Sequence, residues 1–150
     1  MEHADEIIKN LWLGNRNAPL EHENLKKNNI KLIINCTKDI NYPADNDVHV
    51  IRLDIHDINS EESNTIIEKD INNLLFLINL YLNNNIGVLV HCWAGVQRSA
   101  TVVLCYLLKY KNMGLHMGKA LMKSKRSIVF FPQPTFDNFI NNFSLNLSKN

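Results

Sequence analysis

Residues 90–101 read VHCWAGVQRSAT: a histidine beside a cysteine, then a glycine, an arginine and a serine before the next apolar run. Core packing gives no reason for that order. Anion chemistry does. Cys92 is a nucleophile, Gly95 lets the backbone curl close to a bound group, and Arg98 can place two parallel N–H donors on two oxygens of one phosphate. The apolar runs on either side predict a strand at 87–91, a loop at 92–98 and a helix opening at Ser99. A loop in that setting presents unpaired amides and the positive end of a helix dipole. The amides of Trp93, Ala94, Gly95, Val96 and Gln97, with the Arg98 guanidinium, would hold the phosphate oxygens. The same groups favour a sulfur anion on Cys92, which lies at the floor of the cradle. Ser99 is placed to donate its hydroxyl to the sulfur, and His91 to brace the loop through its backbone. The whole reads as a cysteine aimed at a bound phosphate.

Other elements must position this stretch. LWLG (11–14), KLIIN (31–35), HVIRL (49–53) and GVLVH (87–91) are short apolar or β-branched runs bounded by Gly, Asn or Asp, and read as strands. From Glu61 to Leu82 the residues Ile67, Ile71, Leu74, Leu75, Ile78 and Leu82 recur mainly three and four apart, which predicts a helix. Asn59, with Glu62 three residues later, is its expected cap. A second helix is expected from about Ser99 to Lys111, apolar on nearly every side and therefore central. A third covers about Leu115 to Lys123, and a last one starts after Pro134. Strands alternating with helices predict an α/β fold, a mostly parallel central sheet flanked by helices, in a single domain over 1–150.

Composition narrows the function. The net charge of +1 offers no global field for nucleic acid or an anionic membrane, so a basic site must be local. The three cysteines, Cys36, Cys92 and Cys105, are widely spaced and lack a C-x-x-C pair, against a disulfide framework or a zinc site. No leader-like run opens the chain, and no apolar stretch approaches the ~20 residues of a membrane span. The expectation is a cytoplasmic protein. Cys36 and Cys105 read as small buried hydrophobes.

The stretch H-C-W-A-G-V-Q-R-S resembles the signature H-C-x-x-G-x-x-R-[ST] of the cysteine-dependent protein tyrosine phosphatases, and within them of the small dual-specificity phosphatases. Its A-G-V-x-R-S form is similar to that of poxviral members. The resemblance spans most of the chain. IIKNLWLGNRNAP looks like the family's opening strand and turn, IKLIINCTKD like its second strand, ATVVLCYLLKYKNM like the helix behind the phosphate loop, and KALMKSKRSIVFFPQPTFDNFI like the closing segment. Two departures stand out. P-Q-P-T-F (132–136) replaces the usual P-N-x-G-F and is expected to alter the pocket wall, and Gln97 replaces a frequent serine, a change expected to bear on rim polarity.

The resemblance implies a protein tyrosine phosphatase-like fold and hydrolysis of phosphotyrosine and phosphoserine or phosphothreonine through a phosphocysteine, with no cofactor or metal. It also implies an aspartate acid from an upstream loop. In L-D-I-H-D, Leu53 and Ile55 alternate inward and Asp57 follows. Asp57 is the choice over Asp54, which alternation sends to the opposite face. Its alternative role is to cap the turn before the helix. Trp93 lies either at the rim, against a substrate ring, or in the core behind the loop. The expected partner is a phosphorylated protein, with neither nucleic acid nor membrane; oligomeric state is not legible. Rival readings are an RNA 5′-triphosphatase or phosphoinositide phosphatase, disfavoured by the lysine-free loop, and a non-catalytic phosphate-binding module. A protective Cys36–Cys92 disulfide is a further expectation.

Overall fold

GVLVH is the centre of the sheet, as a run without polar alternation demands. In the computed structural model, which describes residues 1–149, this strand is buried at every position. The chain runs β1 (Ala4–Ile8), β2 (Leu11–Gly14), a 3₁₀ turn (Ala18–Leu20), α1 (His22–Lys27), β3 (Ile30–Asn35), β4 (His49–Arg52), α2 (Glu61–Asn83), β5 (Gly87–His91), α3 (Arg98–Tyr110), α4 (Leu115–Lys125) and α5 (Asp137–Ser148). Strand order is β1-β2-β5-β3-β4. β2, β5, β3 and β4 are parallel, and β1 pairs antiparallel with β2 at the edge. The mostly parallel sheet expected from the sequence is therefore present, with one antiparallel strand added.

Alternation divides the side chains between two cores. Leu11, Leu13, Leu32, Ile34, Val88 and Val90 join the large cluster built with α2 to α5. Ile33 and Leu89 join a smaller one on the other face, with Ala18 from the 3₁₀ turn and Leu25 of α1, and Ile30 joins it too because the β3–β5 register shifts between Ile30 and Leu32. α3 is buried from Arg98 to Leu108. Burying each of Val102, Val103, Leu104 and Leu107 is worth about 1.5–3 kcal/mol, so this helix is a strut with little freedom to shift. Its first turn and the end of β5 thereby hold the intervening loop from both sides.

Three local expectations need correction. The cap of α2 is Ser60, not Asn59: Ser60 is extended (φ −117°, ψ 159°) and its side chain accepts from the Ser63 amide at 3.0 Å. Asn59 is one residue too early to reach an N3 amide, and its Oδ1 accepts instead from Asn64 Nδ2 at 2.9 Å. α3 begins at Arg98, with Gln97 as its cap, one residue before the expected start. The strand expected at 49–53 ends at Arg52.

Candidate active site

Loop 92–98 leaves the carboxyl end of β5, where α/β sheets place their ligands. Its carbonyls are engaged one after another. His91 Nδ1–H donates to Cys92 O (3.2 Å). The backbone N–H and Nη1 of Arg16 donate to Trp93 O (3.0 and 3.2 Å). Arg126 donates through Nη2 to Ala94 O (3.0 Å) and through Nε to Gly95 O (2.9 Å), and the Phe130 amide donates to Val96 O (2.8 Å). In a trans peptide N–H and C=O point opposite ways, so carbonyls drawn outward turn the amides inward. The Gly95 amide confirms the sense: it donates to Cys92 Sγ at 3.3 Å. The loop can curl this tightly because Gly95 sits at φ +68°, and a Cβ there would lie 2.6 Å from both Arg126 Nη2 and Gly14 O.

At the floor, Cys92 is buried and its Sγ lies 3.1 Å from Ser99 Oγ. Arg98 is 9% exposed; its Nη1 donates to Ile55 O at 3.0 Å and its Nε is buried without a partner. A buried, unpaired N–H on a guanidinium is costly unless an anion meets it. With Nη1 occupied, Nε and Nη2 form the prong left for two oxygens of one phosphate.

His91 is fully buried and bonded at both nitrogens. Tyr42 O–H donates to Nε2 at 2.6 Å while Nδ1–H donates to Cys92 O, which fixes a neutral ring with its proton on Nδ1. Burial is the chief cause that pushes His91 down to about 4, and the cations Arg52 and Arg98 push the same way. His91 is thus bonded to the loop backbone at Cys92 O, with Tyr42 behind it.

The loop that carries the candidate acid leaves the carboxyl end of β4. Leu53 and Ile55 are buried, as the alternation predicts, and Ile55 O is the acceptor of Arg98. Asp57, two residues on, is exposed and forms no hydrogen bond or ion pair with any described residue. It does not cap α2, since Ser60 does. Asp54 is held instead by Lys38 Nζ at 3.6 Å.

Trp93 lies at the rim, not in the core: it is 50% exposed, with the Arg16 guanidinium 3.9 Å from its ring centroid. Gln97 departs from expectation. Its side chain is 6% exposed and turned away from the rim, with Nε2 donating to Phe131 O (3.2 Å) and Gln133 O (2.9 Å) and Oε1 accepting from the Thr135 amide (2.9 Å). Only its backbone faces the cradle. The two sequence departures, Gln97 and P-Q-P-T-F, are therefore one structural unit. Tyr42, Arg16 and Arg126 were not singled out in the sequence; Arg126, also paired with Asp5 at 2.9 Å, is a buried cation whose only sequence trace is its place in KSKRS.

Cys36 and Cys105 are fully buried, and burial pushes both thiols up. The register Asn35↔His91 sets Cys36 beside Cys92 at the ends of neighbouring parallel strands, and Cys36 N–H donates to His91 O at 2.8 Å.

Residues 11–144 match the dual specificity phosphatase catalytic domain. The chain belongs to the dual specificity phosphatase family. It is similar to protein 123R of Invertebrate iridescent virus 6, 34% identical over 83% of this chain and 81% of that one. It is also similar to dual specificity protein phosphatase 9 of Homo sapiens, 33% identical over 81% of this chain but 31% of the human one. Human DUSP28 has the same fold, with a TM-score of 0.87 at 21% identity over 97% of this chain and 95% of that chain. As a dual specificity phosphatase it is a hydrolase acting on phosphorylated protein, and the family's reaction runs through a phosphocysteine. Among the described residues no helix of this dual specificity phosphatase is long and apolar enough to cross a membrane.

Proposed function

We propose that Cys92, Arg98, Ser99 and Asp57 carry the hydrolysis of phosphotyrosine, phosphoserine and phosphothreonine in this chain. Cys92 sulfur attacks phosphorus as the P–O ester bond breaks, and Asp57 gives its proton to the departing Tyr, Ser or Thr oxygen. Water then attacks the phosphocysteine, Asp57 takes its proton, and the sulfur leaves as a thiolate. Ser99 Oγ and the Gly95 amide stabilise that thiolate, both within hydrogen-bond reach of Sγ. The inward amides of 93–97 and the free prong of Arg98 bind the equatorial oxygens throughout. His91, through Cys92 O, holds the peptide that carries the nucleophile.

The observation that carries this reading is a buried, unpartnered Arg98 Nε at the end of the same loop whose Gly95 amide already donates to the Cys92 sulfur. Phosphate release from matched phosphotyrosine and phosphothreonine peptides in EDTA tests it. Turnover of both, abolished in Cys92→Ser, is the expected outcome. Tight peptide binding without turnover by the wild type would mark a binding module, and release only from a triphosphate-ended RNA or a phosphoinositide would move the substrate class. The phosphatase is assigned to the cytoplasm in this proposal, and the protein acts there on phosphorylated protein partners.

A further inference from the structure

A cleft of about 540 Å³ opens beside the phosphate loop, and Gln97 belongs to both. Its far wall is Asn59, two residues beyond Asp57, and its near wall is the segment 132–138. A phosphoresidue with its phosphate in loop 92–98 and its leaving oxygen toward Asp57 lies between these same two elements. The cleft is therefore within reach of the chain on one side of that residue. The volume falls in the range of pockets that hold a small molecule (roughly 300–1,000 Å³), enough for a side chain or two of a flanking peptide.

The lining has a definite chemistry. Asn59, Gln133, Thr135 and Asn138 offer amides and a hydroxyl, which suit a peptide backbone, and Asp137 is the one charged side chain in the lining. Asp137 is half-exposed; Lys119 Nζ lies 3.9 Å from Oδ1 and Asn141 Nδ2 donates to Oδ2 at 3.3 Å. No cation lines the cleft, whereas Arg16 sits at the other end of the loop, over Trp93. The wall is preformed, because two hydrogen bonds donated by Gln97, one that it accepts from Thr135 N–H, and that from Phe130 N–H to Val96 O hold 130–135 to the loop.

We propose that this cleft is a substrate subsite, which takes the polypeptide flanking the phosphorylated residue and prefers a basic side chain there to an acidic one. The proposal rests on the phosphatase reading above. Its test compares kcat/KM for phosphotyrosine peptides carrying Lys, Ala or Asp at each of the two positions before and after the phosphoresidue, with a small aryl phosphate as reference. At one flanking position Lys is expected to exceed Asp by about three- to fivefold, the scale of an exposed ion pair. Asp137→Lys is expected to reverse that order. Asn138→Trp, which fills the cleft from an exposed helix position, is expected to lower kcat/KM for peptides about tenfold while aryl phosphate turnover stays within about twofold. Peptides that show no dependence on flanking charge, or a preference that survives Asp137→Lys, would overturn the subsite while aryl phosphate turnover left the catalytic reading intact. A wild type inert toward the aryl phosphate would overturn that reading, and the subsite with it.

Discussion

In the proposed reaction two loops meet the substrate, and they are built in opposite ways. The phosphate loop is held from outside at each carbonyl from Cys92 to Val96, by His91, Arg16, Arg126 and Phe130. The loop proposed to carry the acid is tied to it, among the described residues, by one hydrogen bond, from Arg98 to Ile55 O, and leaves Asp57 exposed. The difference follows from the work each does. Stabilising a dianion requires dipoles already pointing inward, because turning them during the reaction would cost what they supply. A proton donor needs only to reach the leaving oxygen when the substrate is in place.

That contrast can be broken at its strongest point first. Arg98→Lys keeps a charge but loses the fork and the anchor on Ile55 O, so it removes the link between the loops. A fall in kcat of about 10³-fold is expected in steady-state assays, with retained folding by circular dichroism. Asp57→Asn is next, with about a 10²-fold loss on phosphothreonine peptides and a smaller one on aryl phosphates whose leaving oxygen needs less help. Asp54→Asn is expected to stay within about twofold, since the one polar contact of Asp54 among the described residues is a half-exposed ion pair with Lys38. An equal loss in both would undo the assignment of the acid.

Arg126→Met sharpens the other side of the comparison. It frees Ala94 O and Gly95 O with no change to any group that meets phosphate, and a drop of about tenfold in kcat/KM is expected, with a similar loss of affinity for vanadate. His91 gives a smaller effect that appears in stability. Its folded value near 4 lies below the ordinary 6.5, so the unfolded chain binds the proton first as pH falls. The stabilisation from the neutral ring is complete above about pH 6.5 and is lost as pH drops toward 4, about 3 kcal/mol across that window. Urea unfolding at a series of pH values, compared with His91→Asn, measures it; an unchanged slope in the variant would remove His91 as the cause.

The smallest expected effect on turnover is that of Cys36→Ala. In the expected sequence peroxide would oxidise Cys92, as thiolate, to a sulfenic acid with release of hydroxide, and the Cys36 thiol at the end of the neighbouring strand would then form a disulfide with loss of water. Wild type is expected to recover fully in dithiothreitol and to yield a Cys36–Cys92 linked peptide by mass spectrometry, while the variant recovers less. Irreversible loss in both would dismiss the pairing.

The same contrast explains what the sequence made legible. Strand, loop and central helix at 87–110 are contiguous, and each residue's type agrees with its neighbours', so the cradle and Cys92, Arg98 and Ser99 could be placed from the order of residues alone. Its outer supports come from elsewhere in the chain. Tyr42, Arg16 and Arg126 carry no local pattern, and their roles exist only once the sheet sets their loops around β5. β1 was missed because a register shift between Glu6 and Ile8 disturbs its alternation. α1 was missed because six residues with Leu25 alone buried form no apolar stripe. Gln97 was read as a rim residue because its partners are backbone groups of 131–135, and backbone partners leave no mark on composition.

The sheet has two open edges, β1 and β4, five and four residues long. Each places a charged side chain on a loop that serves the site: Asp5 of β1 grips Arg126, and Arg52 of β4 donates to Thr37 O, Ile40 O and Asn41 Oδ1, in the segment leading to Tyr42. Short edges bearing charge resist the addition of a foreign strand. Asp5 and Arg52 therefore guard the two edges against the addition of a foreign strand, and a chain that lost both would face self-association as well as a slackened site.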